Sequence, residues 1–451
     1  MALAMDKNLT TQNVPKLPAT RPRSSRLMAS AAAVLVCLPL LGSTKLQETR
    51  FHTYVGDVGS DRVLIAWGTA SAPGNTIGRE SRSHGTASVQ LGGRTLESEK
   101  NWAVFDGLAS DTEYAYRVTI AGRVVGKGQV RTWPARATSL AFFVIGDYGN
   151  GSRAQHQLAQ VMQAELSRRR ASSNPVRFVI TTGDNIYGRG YWPFRWNTGD
   201  EDRDWRTRFF EPYEPVLRYI PFYPALGNHD GNDEEWRHDL DVYLDNFFFP
   251  GNRPARYYSF SFGGLVDFFA LDTTSNSQSG PPVPTHGPQS EQSRWLARSL
   301  TASRAPWKIP YFHDPPFVAG PRRKPIRSID HFLKLFQEAG VRVAFTGHEH
   351  NFQYSAADQA TGGVRYVLSG AGGELRTGEL QDMEGNHVEG WAQQHHFLLV
   401  EIDGQTLSIT PLSFDPVRVL DKDGKRVELP LRIALDSPVA ADRSPAGATH
   451  Q

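Results

Sequence analysis

Asp147, Asp184, Tyr187, Asn228, His313, His348 and His350 offer oxygen and nitrogen donors of the kind that hold a pair of metal ions. They occur in five short blocks: Gly146-Asp147-Tyr148-Gly149, Gly183-Asp184-Asn185-Ile186-Tyr187, Gly227-Asn228-His229-Asp230, His313 after Ile309-Pro310-Tyr311-Phe312, and Gly347-His348-Glu349-His350. A mixed oxygen and imidazole set suits first-row metals and not a thiolate site. Apolar runs at 140–145, 178–182, 222–226 and 341–346 precede the first three blocks and the fifth. Such runs read as buried strands, and open α/β sheets place their sites just beyond strand ends. Each block alone is weak, since Gly-Asp after a strand is often only a turn. All five in order, each behind its own strand, point to one metal-dependent site.

The elements that must position these blocks follow from periodicity. After residue 138, strands alternate with helical stretches at 153–170, 289–303 and 328–339, and the end of the region is mostly strand, at 363–369, 396–402 and 406–411. That alternation predicts an α/β domain over 138–436. The aromatic and basic stretch 203–218 has helical spacing, which assigns its rings to a core and not to an RNA-binding stripe. Ahead of it, short runs at 62–68, 86–91, 102–108, 114–120 and 124–132, broken by Gly, Ser, Asn and Asp, predict a β-sandwich over 50–133. Residues 133–138 read as a short linker. The sandwich supplies none of the donors, so it is expected to pack or position. Residues 437–451, rich in Ser, Ala, Pro and Gly, read as a disordered tail.

The formal charge of +2 includes a basic leader. Before Thr44 lie Lys7, Lys16, Arg21, Arg23 and Arg26 against Asp6 alone, a net of +4, which leaves about −2 for the remainder. No global basic field is left to hold nucleic acid. The apolar run 27–41 followed by Gly42-Ser43 has the build of a secretion signal over 1–43, and it is short for a membrane span. Secretion or periplasmic export is therefore expected, with no stable membrane span once the signal is removed; the alternative is an uncleaved anchor. Cys37, the single cysteine, lies inside that segment. The mature chain then has no disulfide, which is compatible with export.

The order and spacing of the five blocks resemble the calcineurin-like metallophosphoesterase superfamily and, within it, the purple acid phosphatases. The resemblance covers about residues 140–412. It implies a four-layer α/β/β/α sandwich, preceded here by a small all-β domain. The segment Leu108-Ala-Ser-Asp-Thr-Glu-Tyr114-Ala-Tyr116-Arg-Val118 resembles the tyrosine-tied corner of fibronectin type III domains. Carried over block by block, the resemblance implies that Asp147, Tyr187 and His350 bind one metal, that Asn228, His313 and His348 bind the other, and that Asp184 bridges both. Tyr187 discriminates among the superfamily, because a phenolate favours a ferric ion. The implied cofactor is Fe3+ with Fe2+, Zn2+ or Mn2+, and the implied reaction is attack of a metal-bound hydroxide on a small phosphate monoester. His229 would donate a proton or stabilise charge in the transition state. The sequence departs from the family pattern in having no histidine soon after His313, where Arg322 and Arg323 stand instead. Paired arginines of that kind are more often solvated than bound to phosphate. Two other readings stay open: a phosphodiesterase of the same superfamily, and a non-catalytic surface-binding protein.

Overall fold

The first strand, β1 (His52–Val58), is buried along its whole length, which a sheet with one wet face does not allow. In the computed structural model, which describes residues 50–69, 85–188, 202–231, 240–275 and 286–436, β1 is covered on both faces. It joins β2 (Val63–Gly68) and, further along, β5 (Trp102–Phe105) in a three-stranded sheet of order β1-β2-β5. Between β2 and β5 run β3 (Ala87–Leu91) and β4 (Arg94–Ser98), which pair with β6 (Glu113–Ile120) and β7 (Arg123–Arg131) in a second sheet of order β4-β3-β6-β7. The Tyr114 hydroxyl accepts the Ala109 N–H at 2.9 Å and so ties the corner before β6 to its strand. The leader at 1–43 and the tail at 437–451 lie outside the described residues.

The α/β part holds two further sheets. The first contains β8 (Ser139–Ile145), β9 (Val176–Thr181) and β10 (Phe222–Pro224), which run parallel. The second contains β11 (Tyr258–Phe262), β12 (Val266–Ala270), β13 (Trp307–Tyr311), β14 (Val343–Thr346), β15 (Phe352–Ser355), β16 (Arg365–Ser369) and β17 (Val388–Ala392), in the order β11-β12-β13-β14-β16-β15-β17. Antiparallel strands β18 (Phe397–Asp403), β19 (Thr406–Leu412) and β20 (Leu431–Ala434) return to the first sheet and complete the order β10-β9-β8-β18-β19-β20. The two sheets meet through aromatic rings: Phe142 lies edge-on to Phe268 at 5.2 Å and to Phe345 at 6.2 Å, and Phe178 edge-on to Phe260 at 5.4 Å. Such pairs add to their area burial.

Helices close the outer faces. The helix Arg153–Arg169 starts at Ser152, whose side chain accepts the Gln155 N–H, and buries Leu158, Met162 and Leu166 along one stripe. The helices Glu291–Ala302 and Asp330–Glu338 bury Leu296, Leu300, Phe332 and Phe336 against Phe269, Leu271 and Phe312 of the second sheet. The result is the four-layer order of helix, sheet, sheet, helix, with an all-β sandwich in front.

Residues 133–138, expected as a linker, begin with a core side chain. Trp133 is 5% exposed, and its ring lies 5.3 to 6.0 Å from those of Phe178, Tyr223, Phe260 and Phe262. Polar bonds cross the same seam: the Tyr223 hydroxyl donates to Asp57 Oδ1 at 2.9 Å and the Tyr116 hydroxyl to the Arg218 carbonyl at 3.2 Å. One apolar cluster therefore runs from the sandwich into the α/β sheets. Trp133→Ala is expected to cost about 3–5 kcal/mol, and calorimetry should show one transition, shifted down, for both parts. Two separate transitions in the parent would mean that the seam does not couple them.

Candidate metal centre

Register carries the five blocks to one place. Ile145 pairs with Thr181, and Tyr311 pairs with Phe345. Two residues beyond each pair, the Asp147 N–H donates to the Gly183 carbonyl at 3.0 Å and the Gly347 N–H to the His313 carbonyl at 3.0 Å. The blocks are thus laced to each other by backbone bonds at the carboxyl ends of the parallel strands of both sheets. Asp147, Asp184 and His348 sit at φ +53°, +48° and +72°, a left-handed corner uncommon for side chains larger than glycine. These turns swing the side chains back over the strand ends. Close backbone approach completes the packing: a Cβ on Gly227 would meet the Asp184 nitrogen at 2.0 Å, and one on Gly347 would meet Asp147 Oδ2 at 2.6 Å.

All seven candidate ligands arrive together. The Tyr187 hydroxyl lies 3.2 Å from Asp147 Oδ1, 3.1 Å from Asp184 Oδ2 and 3.4 Å from His350 Nε2. His350 Nε2 is 3.2 Å from Asp147 Oδ1. On the other side His313 Nε2 lies 3.4 Å from the same Asp184 Oδ2, 3.1 Å from Asn228 Oδ1 and 3.0 Å from His348 Nδ1. Two clusters, one of Asp147, Asp184 and His350 and one of Asp184, His313 and His348, therefore share a single carboxylate. His229 stands over them. Its backbone N–H donates to Asp184 Oδ1 at 2.8 Å, its Nε2 is 4.0 Å from Asp184 Oδ2, and its ring lies 4.8 Å from that of Tyr187. Its side chain is 24% exposed, against 8% for His350 and 0% for His313.

The electrostatics fit a cation. Burial, reinforced by Asp147 and Asp184, pushes the Tyr187 phenol well above its ordinary range. Burial alone would raise Asp184, yet His313 and His229 hold its carboxyl well below the usual carboxylate range. Burial disfavours charge on His313 too, but Asp184, Asp147 and Asp314 outweigh it and lift the imidazole to about 10. His348, pressed by burial, His313 and Arg323, is pushed down to about 2 and is held neutral. Buried carboxylates packed this closely demand positive charge among them, which the His313 proton supplies here; a metal ion would displace that proton, since neutral imidazole is the form that binds metal. His313 Nδ1 faces the Thr182 carbonyl at 2.8 Å, which leaves Nε2 turned to the cluster.

Residues with little sequence signal hold this arrangement. The buried Asp230 carboxylate accepts the N–H groups of Asn185 (2.7 Å), Ile186 (3.1 Å) and Gly227 (2.8 Å) and the Asn185 side-chain amide (2.7 Å). Burial and Asp184 raise its pKa to about 8. Both its oxygens are nevertheless committed to donors, so a proton there would displace an N–H, and the ionised form fits the geometry. Arg208, from the helical run before Leu217, donates to the Tyr187 carbonyl; the rings around it, Trp205, Phe209, Phe210 and Tyr213, are core. Glu349, between His348 and His350, is fully buried and lies 3.6 Å from Arg376, which donates to the His348 carbonyl at 3.1 Å. Residues 189–201 and 276–285 lie outside the described residues.

Comparison with known proteins matches residues 140–352 to the calcineurin-like phosphoesterase family. A tartrate-resistant acid phosphatase type 5 of Mus musculus is 30% identical over 262 residues, 53% of this chain and 74% of that protein. Purple acid phosphatase 17 of Arabidopsis thaliana is 25% identical over 274 residues, 57% of this chain and 76% of that protein. The chain belongs to the calcineurin-like phosphoesterase family. Its relatives there are the purple acid phosphatases, and a purple acid phosphatase from yellow lupin (Lupinus luteus) seeds has the same fold, with a TM-score of 0.60 at 14% identity over 89% of this chain and 78% of that one.

Asp230→Asn replaces acceptors by donors against Gly227 and Asn185. It is expected to lower stability by about 2–4 kcal/mol and to lower bound metal per chain. Parent-like melting and parent-like metal content in the variant would remove Asp230 from this role.

Proposed function

We propose that the chain is an exported binuclear metallophosphatase that hydrolyses small phosphate monoesters. The observation that carries the proposal is the single oxygen, Asp184 Oδ2, common to two ligand clusters. In this reading Asp147, Tyr187 and His350 hold one ion, Asn228, His313 and His348 hold the other, and Asp184 bridges them. A bound pair would supply a Lewis-acidic clamp for phosphoryl oxygens and an acidified water. The tyrosine donor favours Fe3+ on its side, with Fe2+, Zn2+ or Mn2+ on the other. The neutral donors Asn228 and His348 keep the second side less negative, so an anionic ester is not repelled. His229, above the shared carboxylate and open to solvent, is placed to meet the ester oxygen as it leaves, giving it a proton or balancing its charge. Export rests on the composition of the leader, and among the described residues no helix is long and apolar enough to cross a membrane.

Purified, metal-replete protein should hydrolyse p-nitrophenyl phosphate faster than bis-p-nitrophenyl phosphate. Asp184→Asn should lower the monoester rate more than about 100-fold, at least the loss that follows removal of a group supporting a ligand, and should reduce the metal count measured by elemental analysis. Parent-level hydrolysis by this variant would sink the proposal, and a faster diester rate would move it to the phosphodiesterase reading.

His229→Asn should behave differently. Its kcat is expected to fall about 100- to 10,000-fold, while metal content and a visible band that Tyr187→Phe abolishes both stay at the parent level. Loss of metal in the His229 variant would make that residue a structural support.

A further inference from the structure

After His313 the chain runs Asp314-Pro315-Pro316-Phe317-Val318-Ala319-Gly320-Pro321-Arg322-Arg323 with no histidine. The end of this loop is pinned to the metal centre. The backbone N–H groups of Arg322 and Arg323 donate to Glu349 Oε2 at 3.3 and 2.6 Å, and Glu349 lies between two of the proposed ligands. The guanidinium groups of Arg323 and Arg376 both act beside Glu349, and they differ in what they do. Arg376 is occupied by the His348 carbonyl and by Glu349. Arg323 is half-buried, and its Nε is shielded from solvent with no hydrogen-bond partner. An unsatisfied, shielded donor costs free energy, more so on a charged group. Its charge reaches His348 and Asp184. Arg322 and Lys324, on either side of it, are exposed. The carboxylates facing this group are Glu349, whose Oε2 takes two N–H groups and whose Oε1 lies 3.6 Å from Arg376 without a hydrogen bond, and Asp184, held in the centre. The expectation that both arginines are solvated therefore holds for Arg322 and not for Arg323.

Resting on the phosphatase reading above, we propose that Arg323 is a specificity-determining residue that binds a second anionic group, a carboxylate or phosphate, on the leaving-group side of the substrate. The planar guanidinium fork matches either anion. In that reading the phosphoryl oxygens would be met by the ions and His229, whereas half-buried Arg323, between exposed Arg322 and Lys324 on the loop pinned to Glu349, would be left for the rest of the substrate. Arginine does not release a proton near neutral pH. It therefore holds the anion by charge and geometry, and proton transfer is left to His229.

The test compares 4-carboxyphenyl phosphate with its uncharged carboxamide, on metal-replete parent, Arg323→Gln and Arg323→Lys. The parent is expected to favour the carboxylate in kcat/KM by about tenfold, the value of one charge-assisted contact. Arg323→Gln should erase the preference by losing rate on the carboxylate alone, with metal content and the carboxamide rate close to the parent, and Arg323→Lys should keep part of it. An unchanged preference in Arg323→Gln overturns the proposal, as does an equal loss on both substrates, which would place Arg323 on the phosphoryl group. Loss of fold or metal in both variants assigns it to structure and overturns it as well. A metal-replete parent that hydrolyses neither compound defeats the phosphatase reading itself and not this assignment.

Discussion

The Tyr187 hydroxyl lies about three ångström from both Asp147 and Asp184, all three side chains are buried, and the rest of the molecule is arranged around the repulsion between the two carboxylates. Unscreened negative charge in such a place is unfavourable unless cations enter it. His313 meets the demand in part by its charge, whereas His348 is held neutral and offers only a lone pair. The aromatic contact between the two sheets and the backbone bonds between the blocks serve to keep the oxygens from drifting apart. A looser scaffold would relieve the repulsion by moving the groups, and the affinity for metal would fall with it.

Rigidity of that order explains the sandwich. It brings no ligand, yet it buries Trp133 among four rings of the α/β part and presents Asp57 to Tyr223. Tyr223 belongs to β10, the strand that leads into Gly227-Asn228-His229-Asp230. The sandwich thereby braces the strand that leads to one proposed metal ligand and the proposed proton donor, a positioning role that leaves the chemistry elsewhere.

Much of this was legible in the chain. Strand-then-loop blocks are local signals, so Asp147, Asp184, Tyr187, Asn228, His313, His348 and His350 could be named from spacing and family resemblance, and the helices at 153–170, 289–303 and 328–339 fall within a residue or two of their structural limits. What the sequence hid is tertiary. Trp133 next to Pro134 has the local look of a linker, and only the rings of distant strands reveal it as core. Asp230 reads as one more loop carboxylate until its four donors, three of them backbone, are in place. Arg376 follows a glycine pair with no motif around it, and it matters only because the fold brings it under His348. Whether Arg322 or Arg323 is buried depends on which way a loop is pinned, and Glu349, 26 residues beyond Arg323 in the chain, does the pinning.

The left-handed corners at Asp147, Asp184 and His348 divide the ligand set by how freely it can drift over evolutionary time. At these three positions the backbone itself aims the donor, and a β-branched or bulky replacement would have to reshape the loop as well as change the atom offered. Tyr187, Asn228, His313 and His350 are free of that restriction among the described residues. Changes in which metal the centre prefers should therefore accumulate at those four positions, while the other three stay fixed as the frame on which new preferences are tried.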